Sequence, residues 1–205
     1  MVLRKIYKFC LALIFAASVG CASLFGWKIH APGMLSGNFE QRIQPAHARL
    51  ALYLEPQVFK YVSTARGGVT ADPTTFYIGE SYAPMILEGF QQAFDEFVYM
   101  EARPTPELLK HYGIPYLAVV RLTGFENDMT WKGQGVRLAS QTVILDSDFH
   151  EVDRFESTGS SDVEKVFSKK GGPEVNLNAA LEHNVTAIIQ YIQDAAVSGK
   201  WSRNV

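Results

Sequence analysis

Apolar and polar positions alternate where the chain leaves residue 48. Leu50, Leu52 and Leu54 are separated by Ala51 and Tyr53, the period-two pattern of a half-buried strand. Pro56 closes it, and Val58 to Val62 reads as a second extended piece. Arg66 to Thr75 contains Gly67-Gly68 and Asp72-Pro73 and reads as a loop. The period then changes. Ile86, Phe90, Ala93, Phe94 and Phe97 recur at helical spacing behind Ser81, a residue type suited to an N-cap. They predict a helix over 82–98 whose other face carries Glu88, Gln91, Gln92, Asp95 and Glu96.

Phe97 to Glu101 also reads as a short strand. Thr105-Pro106 opens another helix, with the proline at a tolerated first position, and Tyr112-Gly113 stops it. Pro115 to Leu122 (PYLAVVRL) is continuously apolar, as an inner strand covered on both faces would be. Val136–Leu145 and Glu151–Ser157 flank the turn Asp146-Ser147-Asp148 and form an antiparallel hairpin. After a polar, glycine-bearing stretch from Thr158 to Val175, a last helix begins with Asn178 as its cap. It carries Leu181, Val185, Ile188, Ile189 and Ile192 on one face and ends before Gly199. The order β-α-β-α-β-β-β-α predicts an α/β (α+β) fold, a single mixed sheet with helices packed on it.

The amino terminus is of another kind. Met1 to Lys8 is short and basic, and Phe9 to Gly20 is apolar over the length of a signal core. Ser18-Val19-Gly20-Cys21 resembles the lipobox of bacterial lipoproteins, in which the cysteine thiol is acylated before cleavage; Ser18 stands where that motif usually has leucine. Two other readings remain open: residues 9–27 as an uncleaved inner-membrane anchor, or ordinary signal cleavage among the small residues 16–23. With Ala22 and Ser23 after the cysteine, rather than aspartate, the lipoprotein reading places the protein at the outer membrane, on the periplasmic face. The expected organisation is a signal over 1–20, a tether over 21–47, one globular domain over 48–197 and a tail over 198–205. In the tether, Phe25, Trp27 and Ile29 rest either on the lipid surface or on the domain.

Charge and cysteine content narrow the classes. The 205-residue chain has a formal charge of −2. Loss of residues 1–20, with Arg4, Lys5 and Lys8 and no acid, takes it to −5, a poor balance for nucleic-acid binding. Both cysteines, Cys10 and Cys21, lie in the first 21 residues, so the body has neither a disulfide nor a thiolate metal site. The five histidines form no HxH or HxxxH pair, there is no GxSxG elbow, and Gly133-Gln134-Gly135 and Lys169-Lys170-Gly171-Gly172 lack the spacing of nucleotide loops. Asp146-x-Asp148-x-His150 starts like a calcium loop, but Glu151 stands where the glycine belongs and Ser157 where the glutamate does. No cofactor and no metal is expected. His111 suits the end of a helix.

One stretch points to contact with a partner. Glu126 to Gly135 (ENDMTWKGQG) reads as an exposed loop between strands, with Met129, Trp131 and Lys132 as a contact surface; the alternative is that Trp131 folds back over the sheet edge.

The order of elements is similar to that of small outer-membrane lipoproteins whose domain resembles the TolB amino-terminal domain, such as those of curli secretion, Pel polysaccharide export and penicillin-binding-protein activation. The resemblance runs from Ala48 to Ala196. It rests on Arg49–Leu54, Ser81–Val98, Tyr112-Gly113-x-x-Tyr116-Leu117-Ala118-Val119, the Val136–Ser157 hairpin and the final helix. Val120 or Arg121 stands where such proteins often have a glycine. It implies a non-enzymatic accessory or assembly role in an envelope export or surface-structure machine, with self-association or an envelope-machine protein as partner and no nucleic acid. A periplasmic lipid- or polysaccharide-binding carrier is the second reading, and it requires an apolar cavity between sheet and helices. A hydrolase with an unrecognised site is a third.

Overall fold

The computed structural model describes residues 26–65, 73–130, 133–164 and 172–201. In chain order its elements are β1 (Trp27–Ile29), α1 (Phe39–Arg42), β2 (Ala46–Leu54), α2 (Pro56–Phe59), β3 (Val62–Ala65), β4 (Thr74–Tyr77), α3 (Ile78–Ala93), β5 (Phe94–Met100), α4 (Pro106–His111), β6 (Tyr116–Met129), β7 (Gly133–Asp146), β8 (Glu151–Glu164) and α5 (Pro173–Val197). Five strands form the main sheet in the order β5-β2-β6-β7-β8. Its first three strands run parallel, and β6, β7 and β8 follow as an antiparallel meander. A second mixed sheet of three short strands has the order β1-β4-β3. The class is α+β, as the element order predicts, with the small sheet as an addition.

The two faces of the main sheet are covered differently. Leu50, Leu52 and Leu54 of β2, Ala118 and Val120 of β6, and Leu138 and Ile144 of β7 face α3 and α5. From α5 come Leu181, Val185, Ile188, Ile189 and Ile192, each at most 1% exposed. Burying such a side chain contributes about 1.5–3 kcal/mol. That outweighs the helix-propensity cost of a β-branched residue, under ~1 kcal/mol. At Gly159 β8 passes α5 so closely that a Cβ there would lie 2.1 Å from the Ala180 carbonyl oxygen. On the opposite face Ala51, Tyr53, Leu117 and Leu145 pack against Leu109 and Ile114, in and just after α4. Past α4 that face is open: Arg121, Arg137, Glu156 and Ser160 are exposed.

Several expectations are corrected. The leader and Cys21 lie outside the described residues, but from residue 26 the expected tether is part of the fold. Ile29, Phe39 and Ile43 are 1–3% exposed and belong to the main core. Trp201, expected in the tail, is 3% exposed. β2 is buried on both faces from Leu50 onward, because α4 covers its Ala51 and Tyr53 side. Residues 58–62 divide between the end of α2 and the start of β3. Thr74 and Thr75, read as loop, open β4. The helix expected over 82–98 spans 78–93: Phe94 already has the extended backbone of β5, which pairs parallel to β2. Phe94 and Phe97 pack on Phe90, at centroid distances of 5.4 and 5.8 Å, so an apolar cluster mimics helical spacing across a helix-to-strand junction. α4 matches its prediction closely. The Thr105 side chain accepts from the Leu108 amide, and Gly113 takes φ +61, open to glycine at little cost.

Candidate functional site

The amino-terminal segment of the fold is strapped down by side chains the sequence reading assigned elsewhere. Ser81, read as an N-cap, lies inside α3, and its hydroxyl donates to the Ala31 carbonyl at 2.7 Å. Asn178, read as the cap of the last helix, is inside α5. Its Oδ1 accepts from the Gly33 and Met34 amides at 2.9 and 3.3 Å, and its Nδ2 donates to the Met34 carbonyl at 2.8 Å. One turn on, the Glu182 carboxylate, 7% exposed, accepts from the Ser36 amide at 2.9 Å and from the Ser36 hydroxyl, and it pairs with Arg42. Gln193 completes the strap by donating to the Gln44 carbonyl at 2.9 Å. The signal available in the sequence was a pair of polar residues four apart, beside the apolar stripe of the helix.

Inside the core, Asn184 sits fully buried between α3 and the sheet. Its Oδ1 accepts from the hydroxyls of Tyr82 and Ser140, at 2.6 and 3.0 Å, and its Nδ2 donates to the Ser157 carbonyl at 3.0 Å. Burial pushes the Tyr82 hydroxyl well above its ordinary value, with Ser140 opposing, so it acts as a donor. This is a structural clamp. The sequon-like Asn184-Val185-Thr186 lies inside α5.

Depressions among the described residues include an open one of about 600 Å³ between residues 44–48 and the last turn of α5 and three others. A crevice of about 210 Å³ at the end of α5 is lined by Leu50, Phe94, Tyr116, Ile192 and Trp201, with Arg49 at its mouth; Arg49 Nε lies 3.1 Å from Glu96. On the open face, a hollow of about 250 Å³ is floored by Tyr53, Val119 and Val143. Arg121 and Arg154 both donate to Gln141 Oε1 there, at 2.6 and 2.9 Å. A polar hollow of about 370 Å³ lies further along, among Glu126, Asp128, Arg137 and Asp162. The space between sheet and helices, where a carrier would need a cavity, is filled by the main core; the crevice opens only at its end and is smaller than the ~300 Å³ of small ligand sites.

The expected contact residues separate. Met129 is 5% exposed, because β6 and β7 pair as far as Met129 and Gln134 and turn its side chain toward the helix-covered face. The long exposed loop expected over 126–135 is therefore strand almost throughout. Trp131, Lys132 and Cys21 lie outside the described residues. The Asp146 turn is an Asx turn: its Oδ1 accepts from the Asp148 and His150 amides at 2.8 and 2.9 Å. Among the described residues no three of His, Cys, Asp and Glu gather to hold a metal ion, and no helix is long and apolar enough to cross a membrane.

Comparison with protein-family models and with curated proteins gives no match. Solved structures similar to the chain include protein XCC0632 from Xanthomonas campestris, of family model DUF330. It is 9% identical, with 87% of this chain and 96% of that one covered, at a TM-score of 0.47. Protein CT253 from Chlamydia trachomatis follows at 9% identity, 76% and 98% coverage and 0.43. A PelC dodecamer from Paraburkholderia phytofirmans stands at 12%, 73% and 92%, and 0.37. At these scores the similarity carries no argument about function.

Proposed function

We propose that the protein is an outer-membrane lipoprotein, acylated at Cys21 and facing the periplasm, with a non-enzymatic role as an accessory or assembly component of an envelope export or surface-structure machine. The observation that carries the assembly role is β8. It is a 14-residue outer strand whose outer edge has no strand partner among the described residues, beside a polar sheet face left open past α4. Such an edge presents backbone donors and acceptors to another chain, except at Ser160, whose backbone meets the His183 ring of α5 at 3.1–3.2 Å. The resemblance stated from the sequence supports the same reading. The partner is a second copy or an envelope-machine protein, with the β6–β7 tip, Trp131 and Lys132, as contact.

Intact mass of the mature chain tests the anchor, and native mass with cross-linking in envelopes tests the assembly. An acylated Cys21 and an oligomer or cross-linked partner are expected. A lipid-free chain removes the anchor; an acylated monomer that cross-links to nothing removes the assembly role.

A further inference from the structure

The small sheet differs in surface chemistry from the rest of the molecule. Residues 26–29, 60–65 and 73–77, which hold its strands and the turn into them, contain no carboxylate, whereas the chain as a whole is acidic. They contain two lysines, Lys28 and Lys60, both exposed. Trp27, Phe59 and Val62, at 38%, 39% and 48% exposed, belong to the same lobe or to the helical turn leading into it. Lys28 and Val62 lie on the outer face of this sheet with Thr64, Thr75 and Tyr77, while Trp27 lies at the start of β1 on the side of Thr74. The neighbouring carboxylate, Glu80, is paired with His30, which stacks on Tyr77. Apolar and aromatic side chains with lysine match the interfacial layer of a bilayer, where Trp is favoured and lysine meets anionic headgroups.

Chain length fixes which surface this lobe meets. The described fold begins at Gly26, and Trp27 is already paired with Thr74 in β1. Six residue steps separate Cys21 from Trp27, and even fully extended they span about 20 Å. An acyl group on Cys21 therefore holds the small sheet within that distance of the lipid. The strap removes slack on the other side: Ser81, Asn178 and Glu182 bind residues 31–36 to α3 and α5, so the domain cannot drift outward on a loose linker.

We infer that the β1-β4-β3 sheet is the membrane-facing lobe of the protein, seated on the headgroup surface of an anionic bilayer through its outer face, which carries Lys28 and Val62, with Lys60 beside it and Trp27 at its end. The inference rests on acylation of Cys21. The lobe sets a fixed orientation in which the domain is mounted on the membrane rather than tethered above it.

The test uses the full mature chain, its acylation confirmed by intact mass, in vesicles of phosphatidylethanolamine and phosphatidylglycerol. Brominated acyl chains in those vesicles are expected to quench Trp27, and the Trp27→Phe variant to lose most of that quenching. A spin label at Val62→Cys is expected to be shielded from a water-soluble relaxation agent, while one at Glu156→Cys on the open sheet face is not. Equal exposure of the two labels in an acylated chain, with quenching unchanged in Trp27→Phe, overturns the orientation while leaving the anchor in place. A mature chain found unacylated overturns the anchor and the mount together.

Discussion

The hydroxyl of Tyr82 on α3 donates to the side-chain oxygen of Asn184 on α5 at 2.6 Å, inside a core where both residues are fully buried. Asn184 also binds Ser140 and the Ser157 carbonyl, so one side chain ties two helices to two strands. Removing it strands several partners at once, which costs more than losing one bond. Tyr82→Phe is expected to cost about 1 kcal/mol, since Ser140 still supplies Asn184, and Asn184→Ala about 3 kcal/mol, adding a small cavity to the unpaired groups. Urea denaturation midpoints check the ordering; equal losses for the two variants would refute the clamp.

Glu182 is the pivot of the strap. Its carboxylate is 7% exposed and meets Arg42, which is 40% exposed. Glu182→Ala leaves the Ser36 amide and the arginine without it and is expected to cost about 2 kcal/mol, below the range for a fully buried pair because Arg42 regains water. Hydrogen exchange locates the effect: the Ser36 amide should lose protection, while amides of β6 and β7 keep theirs to the limit of the lowered global stability.

Thr142 on β7 is 1% exposed, and its hydroxyl finds no hydrogen-bond partner among the described residues. A buried hydroxyl without a partner opposes folding, whereas valine has the same shape and suits a strand. Thr142→Val is expected to raise stability by about 1 kcal/mol, read as a higher Tm in calorimetry. A fall in Tm would mean that the hydroxyl is satisfied.

Asp153 gives the fold a pH signature. Its side chain is 9% exposed, and Lys200 and Trp201 donate to it at 2.8 and 3.1 Å. Burial alone would raise the carboxyl, but these hydrogen bonds, with the charge of Lys200, hold it below its ordinary value of 3.8. Lys200 is raised above 10.5, chiefly by the same bond. A depressed carboxyl contributes stability that is complete above its unfolded value and is lost as pH falls through the folded one. A raised lysine contributes below its unfolded value and loses that as pH rises. Asp153→Asn should therefore be less stable than wild type by about 1–2 kcal/mol near neutral pH. The gap should hold from roughly pH 5 to 9 and close below 3.8. A gap that widens in acid would reverse the sign assigned to Asp153.

Sequence pattern located the elements that periodicity and termini define by themselves. α4, with Thr105-Pro106 before it and Gly113 after it, falls where local chemistry puts it, and so does the β7–β8 turn at Asp146. Ser81 and Asn178 misled because each has the residue type of a cap while its partner, the 31–36 strap, is far away in sequence. β1, β3 and β4 have three or four residues each, too few to establish a period, and they exist by pairing with one another. Phe94 and Phe97 extended the apparent period of α3 because a helix and the strand after it share one apolar cluster around Phe90. The open face of the main sheet, and an outer strand without a strand partner among the described residues, follow from strand order, which local pattern does not encode. Cys21 rests on sequence alone.

Met129 and Trp131, read together as a contact surface, are expected to part under substitution. Met129 is 5% exposed at the end of β6, so Met129→Ser should lower stability by about 2 kcal/mol, through lost burial and a buried hydroxyl. Its effect on assembly should follow only from that loss and disappear at lower temperature. Trp131→Ala carries the proposed contact and should leave stability within about 0.5 kcal/mol of wild type while reducing oligomer or envelope cross-links. Thermal denaturation paired with cross-linking separates the two. The reverse outcome, an unfolding defect from Trp131→Ala and a cross-linking defect from a stably folded Met129→Ser, would mean that the indole covers the sheet edge and that Met129 is the residue that meets the partner.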